Sequence, residues 1–366
     1  MIDIIVIGAG IIGSTLFYEL TKQVKNVHLF EKNKEAGLEV TGHNSAIVHS
    51  GIDPLSNTLK AKYNLMGQDM YEDYAKELET PFKRVGAFVV AKNIEECKHL
   101  DLLEERAKER RVPVTRYSSQ EALVIEPNLN PNILSALEMP TTAIIDPTHL
   151  SSQAVKKGVN HGGASHFEEM ILAIEPKPHY FEIKTTKGIY QARVVVNCAG
   201  LYADKIEALV GEPSFTLRYR KGEYIVLALQ DRPVTNRIIY PVPSILGKGV
   251  LYIPTISGKS LVGPNAIDVD DFLPLPILDE SVEDIKEKMD QLVSNIPYEL
   301  EIDRFVGFRP RVDKDDFVIS EHPEVAYFFT LAGIESPGIA SAPAIARDIT
   351  NTMILPGLYS RLHGLK

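Results

Sequence analysis

Residues 1–32 read MIDIIVIGAGIIGSTLFYELTKQVKNVHLFEK, and this stretch decides the fold. Ile4, Ile5, Val6 and Ile7 form an unbroken apolar run. Such a run reads as a strand buried on both faces, the kind found in parallel sheets covered by helices. Gly8-x-Gly10-x-x-Gly13 follows at once, and apolar positions at helical spacing (Ile11, Ile12, Leu16, Tyr18, Leu20) open directly behind it. A second strand, Val27 to Phe30, then ends on Glu31, 18 residues past Gly13. Each part has a physical task. Gly8 permits a tight turn, Gly10 lets backbone amides approach a pyrophosphate, and Gly13 lets the helix pack close to the sheet. The start of the helix offers N–H groups and positive dipole to phosphates. Glu31 can accept hydrogen bonds from both hydroxyls of an adenosine ribose and disfavours a 2′-phosphate. A lone glycine triplet would say little. Strand, glycines, helix, strand and acid in one unit predict an adenine dinucleotide site.

With 366 residues the chain is long enough for a large core and is expected to hold two intertwined domains. A net charge of −10 argues against nucleic acid as a partner. An anionic substrate would need a local group of Arg and Lys working against that overall field. No apolar run approaches the roughly 20 residues needed to span a bilayer. The first strand starts at the second residue, so no leader is expected. Cys97 and Cys198 are too few and too far apart for a disulfide framework, a zinc site or an iron–sulfur cluster. No metal is expected, and a reducing, cytoplasmic setting is.

Beyond Glu31, Thr41, Asn44 and Ser45 can donate to phosphates, and Ala46-Ile47-Val48 reads as a short buried run. His49 follows it, then Ser50-Gly51, where a missing side chain would let a flat ring lie against the backbone. A histidine beside an apolar run is ordinarily a satisfied core residue; a small-residue loop near a nucleotide site favours a working role. Helical spacing predicts a helix over 57–80, stopped by Pro81, and a charged helix over 93–110. The EERAKERR run in the latter reads as a solvated face. Val85–Ala91 reads as a strand, Ser118-x-x-Glu121 as a capping box, and Asp146-Pro147 as the start of a helix reaching Asn160. Then the period changes to two, with strands at 170–175, 179–185 and 188–197. The last ends in Ala199-Gly200, where small residues again let backbone meet a ligand. Further strands fill 218–265, with Arg218 and Arg220 expected along a strand edge, and an acidic helix spans 279–295. Gly307 reads as a turn before Arg309-Pro310-Arg311. Strand Tyr327–Leu331, loop Gly333–Gly338 and a helix from Ile339 to Met353 close the chain. The whole predicts an α/β fold, a Rossmann-like dinucleotide-binding domain with a second, β-rich substrate domain.

These residues carry a resemblance. The glycine fingerprint with Glu31, Thr41-x-x-Asn44-Ser45, Val195-Val-Asn-Cys-Ala-Gly200-x-x-Ala-Asp204 and Gly333-x-x-Ser336-Pro-Gly338 occur in the order found in FAD-dependent oxidoreductases. That family holds D-amino-acid oxidase, sarcosine oxidase and glycerol-3-phosphate dehydrogenases. The resemblance implies FAD held at Gly8, Gly10, Gly13, Glu31, Lys32, Thr41, Asn44, Ser45, Ala199, Gly200, Gly333, Ser336 and Gly338. It implies an FAD-binding domain of residues 1–80, 145–212 and 320–366, and a substrate domain of 81–144 and 213–319. Asn44-Ser-Ala-Ile-Val-His49-Ser-Gly-Ile-Asp53-Pro resembles the branch of L-2-hydroxyglutarate oxidases and short glycerol-3-phosphate oxidases, which places its catalytic histidine where His49 stands. Gly247-Lys248-Gly249-Val250, Gly263-Pro264-Asn265-Ala266 and Gly307-x-Arg309-Pro310 resemble the glycerol-3-phosphate oxidases. There the matching lysine sits by the flavin, and the arginine and the serine at Ser336 hold the substrate.

The expected chemistry is oxidation of sn-glycerol 3-phosphate to dihydroxyacetone phosphate, with His49, Lys248 and Arg309 as the catalytic set. A histidine suits a base working near neutral pH, and a guanidinium fork suits an anion. The plain alternatives are a salt bridge from Arg309 to Asp313 or Asp315, and an exposed turn for Lys248. The rival readings are an L-2-hydroxyglutarate oxidase, a flavin subunit of an electron-transfer complex and, less favoured, an amine oxidase. Membrane-associated relatives often carry a cysteine-rich C-terminal domain, and the sequence stops at Lys366 without one. The electron acceptor is therefore left open among oxygen, a quinone and a carrier protein, as is peripheral contact with a membrane or a partner subunit.

Overall fold

The computed structural model describes residues 1–229, 232–243, 248–273 and 276–364; Gly247 of the sequence motif lies outside them. Strand β1 (Ile2–Ile7) is the centre of an eight-stranded sheet. It pairs in parallel with β2 (Val27–Phe30) on one side and with Ile189–Asn197 on the other. Ala164–His166 and Phe328–Ala332 extend the parallel run, and Val318–Glu321 adds an antiparallel edge. The hairpin of Ile171–Pro176 and Phe181–Thr185 joins the first half of Ile189–Asn197. Ile4, Ile5, Val6 and Ile7 are at most 5% exposed, the two-sided burial that their unbroken apolarity demands. Helix α1 (Ile11–Thr21) lies against this sheet. At Gly13 an added Cβ would stand 1.9 Å from the Gly8 carbonyl oxygen, so only glycine allows that approach.

A second, nine-stranded sheet takes Ala87–Ala91, Thr115–Ser118, Ser135–Met139 and six strands between Arg218 and Arg311. Its longest pairing is antiparallel, Arg218–Leu227 with Glu301–Arg311. A third sheet joins β3 (Ile47–Val48) to Ala143–Ile145 and Phe82–Arg84. Ile47 and Val48 are 2% and 1% exposed, and this short anchor delivers the chain straight into His49. Helix α2 (Leu59–Glu77), capped by the Thr58 side chain on the Ala61 N–H, crosses the helix Gly338–Ile349. The capping box at Ser118 and the Asp146 cap form as their patterns predict.

Four expectations need correction. Gly307 is no turn; it sits inside the strand Glu301–Arg311, where an added Cβ would lie 2.0 Å from the His43 carbonyl oxygen. Its missing side chain serves an interlock between the second sheet and the loop before His49. Arg220 lies between two strands, paired with Asp268 on one side and Arg309 on the other, whereas Arg218 begins the strand and pairs with Arg311 alone. The acidic helix stops at Asp290, because Val293 and Ser294 turn away to bond the 128–129 segment. The last helix passes Met353: a π turn at Thr350–Ile354 leads into Leu355–His363, with Pro356 in the first turn, where its missing N–H costs little.

The α2 crossing yields a direct test. An alanine Cβ at Gly67 would lie 1.9 Å from the Ala340 carbonyl oxygen. Gly67→Ala is expected to lower stability by about 1–3 kcal/mol through overpacking, read as a lower midpoint in urea unfolding.

Candidate active site

The carboxyl ends of β1, β2 and Ile189–Asn197 open into a cavity of about 930 Å³ whose far wall comes from the second sheet. That volume lies at the upper end of ordinary small-molecule sites, roughly 300–1,000 Å³. One end is built for phosphates and a ribose. Gly8 turns at φ +100°, and a Cβ there would lie 2.6 Å from the Cys198 carbonyl oxygen. At Gly10, which precedes α1, the nearest atom to an added Cβ is Thr41 Oγ1 at 3.3 Å. Thr41 Oγ1 accepts the Ile11 N–H at 2.9 Å, taking one donor that the motif would offer a phosphate. The Ile12 and Gly13 N–H groups have no partner among the described residues, so helix dipole and donors remain for an anion. Glu31 accepts the Ala9 and Asn33 N–H groups, both at 2.8 Å, which aims its carboxylate while leaving lone pairs for a diol.

The remaining residues named from the sequence divide by what they touch. Lys32 is engaged by Glu39 at 2.6 Å and the Tyr202 hydroxyl at 3.1 Å, and burial of this group is outweighed by those contacts, which raise its pKa. Asn44 spends its amide on the loop: it donates to the Val40 and Thr41 carbonyls and accepts the Ala46 N–H, holding Ala46 at φ 54°. Ser45 meets the Tyr224 hydroxyl at 3.0 Å. Ala199 and Gly200 form the lip, Gly200 at φ +55° with open space where a Cβ would go. Gly338 starts the helix at the cavity wall, whereas Gly13 and Gly333 stand behind it.

His49, Ser336, Lys248 and Arg309 line the same cavity. His49 Nε2 lies 3.5 Å from Ser336 Oγ, which accepts from Lys248 Nζ at 3.1 Å. Lys248 Nζ also stands 3.9 Å from Asp53 Oδ2. Its side chain is only 17% exposed, so it is not a free turn lysine. Burial lowers its pKa, and burial with the Lys248 charge pushes His49 well below the usual imidazole range. His49 is thus neutral, as a base must be. Arg309 donates to the Asn265 carbonyl at 2.9 Å. The expected rivals for it are engaged elsewhere, Asp313 by Arg218 and Asp315 by Lys60 and Arg311.

The profile of the FAD dependent oxidoreductases matches residues 3–352. The chain belongs to this family. Glycerol 3-phosphate dehydrogenase of Caloramator mitchellensis is 39% identical over 347 residues, 94% of this chain and 72% of that protein. Glycerol 3-phosphate oxidase of Mycoplasma genitalium is 34% identical over 356 residues, 94% of this chain and 93% of that protein. Among solved structures, the dithionite-reduced L-alpha-glycerophosphate oxidase of Mycoplasma pneumoniae with FAD bound superposes with a TM-score of 0.90 at 27% identity. That match covers 98% of this chain and 94% of the other. The cofactor of the family is FAD, and this cavity suits it: glycine backbone where a Cβ would clash, free amides at α1 and an aimed Glu31.

Several residues that shape the site gave no sign in the sequence. Tyr240 meets His49 Nδ1 at 3.1 Å from 191 positions away. Asn64 holds the His49 carbonyl at 2.8 Å. Arg106 and Arg110, from the supposedly solvated run, donate to the carbonyls of Ile52, Asp53, Gly51 and Pro54 and so clamp the loop after His49. A charged helical stripe looks alike whether it faces water or a loop. Only the helix-facing register of these two arginines distinguishes them.

The histidines set an acid-side limit on stability. His28, His49 and His166 all have pKa values lowered first by burial, His28 further by His166 and His166 by Lys187. Below the ordinary value of 6.5 the unfolded chain binds protons that the folded chain does not. Stability is therefore full above that pH and lost as pH falls below it. The thermal midpoint is expected to drop between about pH 7.5 and about pH 5.5, with a shallower drop in His49→Asn. An unchanged slope in the variant would contradict the His49 assignment.

Proposed function

We propose that this chain oxidises sn-glycerol 3-phosphate to dihydroxyacetone phosphate, with His49 as the base and Arg309, Lys248 and Ser336 around the anionic end. The observation that carries the reading is the meeting of His49, Ser336 and Lys248 within 3.5 Å steps, in the cavity that Arg309 also lines. Similarity to the glycerol 3-phosphate dehydrogenase and oxidases supports it. FAD, when bound, supplies the hydride acceptor. The chain does the rest. His49 Nε2 takes the proton from the secondary hydroxyl, which raises electron density on the carbon that loses hydride. Arg309 offers a planar fork to the phosphate, and its partner is only a neutral carbonyl, so its charge stays available. Lys248, costly to keep charged in its buried setting, gains when a dianion arrives. The start of the helix at Gly338 brings positive dipole to the wall and favours negative charge beside it.

The two large sheets support a division of labour, with the third sheet drawing strands from both parts. We assign cofactor binding to residues 1–80, 145–212 and 320–366, and the substrate wall to 81–144 and 213–319. No helix among the described residues is long and apolar enough to cross a membrane.

The decisive experiment is anaerobic mixing of the FAD-loaded protein with glycerol 3-phosphate or L-2-hydroxyglutarate, followed by flavin bleaching. Bleaching by the first alone is expected; bleaching by the second alone would overturn the reading, and bleaching by neither would make the chain a subunit. Admitting oxygen or a quinone analogue to the reduced protein then identifies the acceptor. His49→Ala should retain FAD and lose about 10²–10⁴-fold in reduction rate. Arg309→Ala should weaken substrate binding by about 10- to 150-fold, the worth of a hydrogen bond to a charged group. Normal reduction in His49→Ala would remove it as the base.

A further inference from the structure

Beside His49 lies a second, small cavity of about 30 Å³, bordered by Tyr240, Asn64, Thr142 and Met139 and also by Asp53 and Lys248. Asn64 and Thr142 are both fully buried. Asn64 Oδ1 and Thr142 Oγ1 have no hydrogen-bond partner among the described residues. Buried polar atoms without partners are rare and call for explanation. The volume is enough for about two waters, each needing roughly 10–15 Å³ of such space and two to four polar neighbours.

Donor and acceptor roles give the cavity a purpose. Lys248 can only donate, so Ser336 Oγ accepts from it and its own hydrogen is free for His49 Nε2. The role of base given to Nε2 above requires that nitrogen unprotonated, which puts the hydrogen of the neutral ring on Nδ1. Nδ1–H then donates to the Tyr240 hydroxyl oxygen at 3.1 Å. Tyr240, 4% exposed, must pass on its hydrogen, and no described residue accepts it. Among the described residues, room for an acceptor is offered by the small cavity that Tyr240 borders.

Building on the role given to His49 above, we propose that this cavity is a structural water site. The water accepts from Tyr240, donates to Asn64 Oδ1 and bonds Thr142 Oγ1, and through Tyr240 it holds His49 in the Nδ1–H tautomer. Tyr240 is thereby a positioning residue. Its phenol accepts the Nδ1 hydrogen before and after Nε2 gains a proton, so the ring need not rotate during turnover. Asn64 serves twice, its amide nitrogen holding the His49 carbonyl while its oxygen faces the water.

Two readouts need no substrate and so stand apart from the choice of alcohol. A high-resolution crystal structure of the FAD-loaded protein is expected to show ordered water within about 2.7–3.2 Å of Tyr240 Oη and Asn64 Oδ1. A dry cavity would overturn the proposal. NMR of nitrogen-labelled histidine is expected to report His49 as Nδ1–H, and as a mixture of tautomers in Tyr240→Phe. An Nε2–H signal in the unmodified protein would also overturn it. With the alcohol that reduces the flavin, Tyr240→Phe should slow reduction about tenfold or more while substrate affinity changes less than about threefold. If that variant loses FAD, Thr142→Val serves instead, with an expected slowing of about 2- to 10-fold from the lost hydrogen bond. Unchanged rates in the variant that keeps FAD would count against the water site.

Discussion

The structure depends on backbone meeting backbone where no side chain fits. At Gly13 the first helix rests on the Gly8 turn, and at Gly307 the second sheet rests on the His43 carbonyl; an added Cβ would sit 1.9 Å and 2.0 Å from those oxygens. The first contact sets the height of α1 above the parallel sheet and so where its free amides point. The second ties the Arg309 strand to the loop that leads to His49. Together they fix the two walls of one cavity against each other, although the walls belong to sheets with no shared strand.

Given that frame, the loop between β2 and α2 needs external support, because β3 is only two residues long. The support comes from several directions. Asn44 ties the loop internally, Asn64 of α2 holds the His49 carbonyl, and Arg106 and Arg110 hold the carbonyls beyond it. Most of these bonds reach backbone oxygens, which position the chain without specifying the reaction. His49 is held at both ends, at its carbonyl by Asn64 and at Nδ1 by Tyr240, so Nε2 alone faces the open cavity. A base so held does not need to be ordered by the substrate.

The parallel sheet was legible from its first 32 residues because burial on both faces leaves no choice but unbroken apolarity. Glycines with helix and acid around them were legible for the same reason: each position tolerates one chemistry. Gly307 misled because a glycine inside a strand looks like a turn until the partner that excludes its side chain is known. Arg220 misled because an alternating strand does not say whether it has one neighbour or two. Tyr240 could not be seen at all. It has an ordinary strand sequence, and only the parallel pairing of Ile238–Pro241 with Ala87–Ala91 brings it near His49. Local pattern reports what a residue does to its own backbone, and says little of partners reached through the fold.

In a chain of net charge −10, the cavity wall collects Lys60, Arg220, Lys248, Arg309 and Arg311. Most are already neutralised: Lys60 by Asp315 and Glu335, Arg220 by Asp268, Arg311 by Asp315 and Glu335. Lys248 has Asp53 at 3.9 Å, the edge of an ion pair, and Arg309 has a neutral carbonyl and no carboxylate in reach among the described residues. Of these five cations, Lys248 and Arg309 are therefore the least compensated among the described residues. Gly222 makes room for one of them, since a Cβ there would stand 2.8 Å from Arg309 Nη2. Keeping two cations short of counterions in a partly desolvated wall is unfavourable by itself. It becomes favourable when an anion completes the set, so part of the cost of the empty site is returned as affinity for a phosphate-bearing substrate.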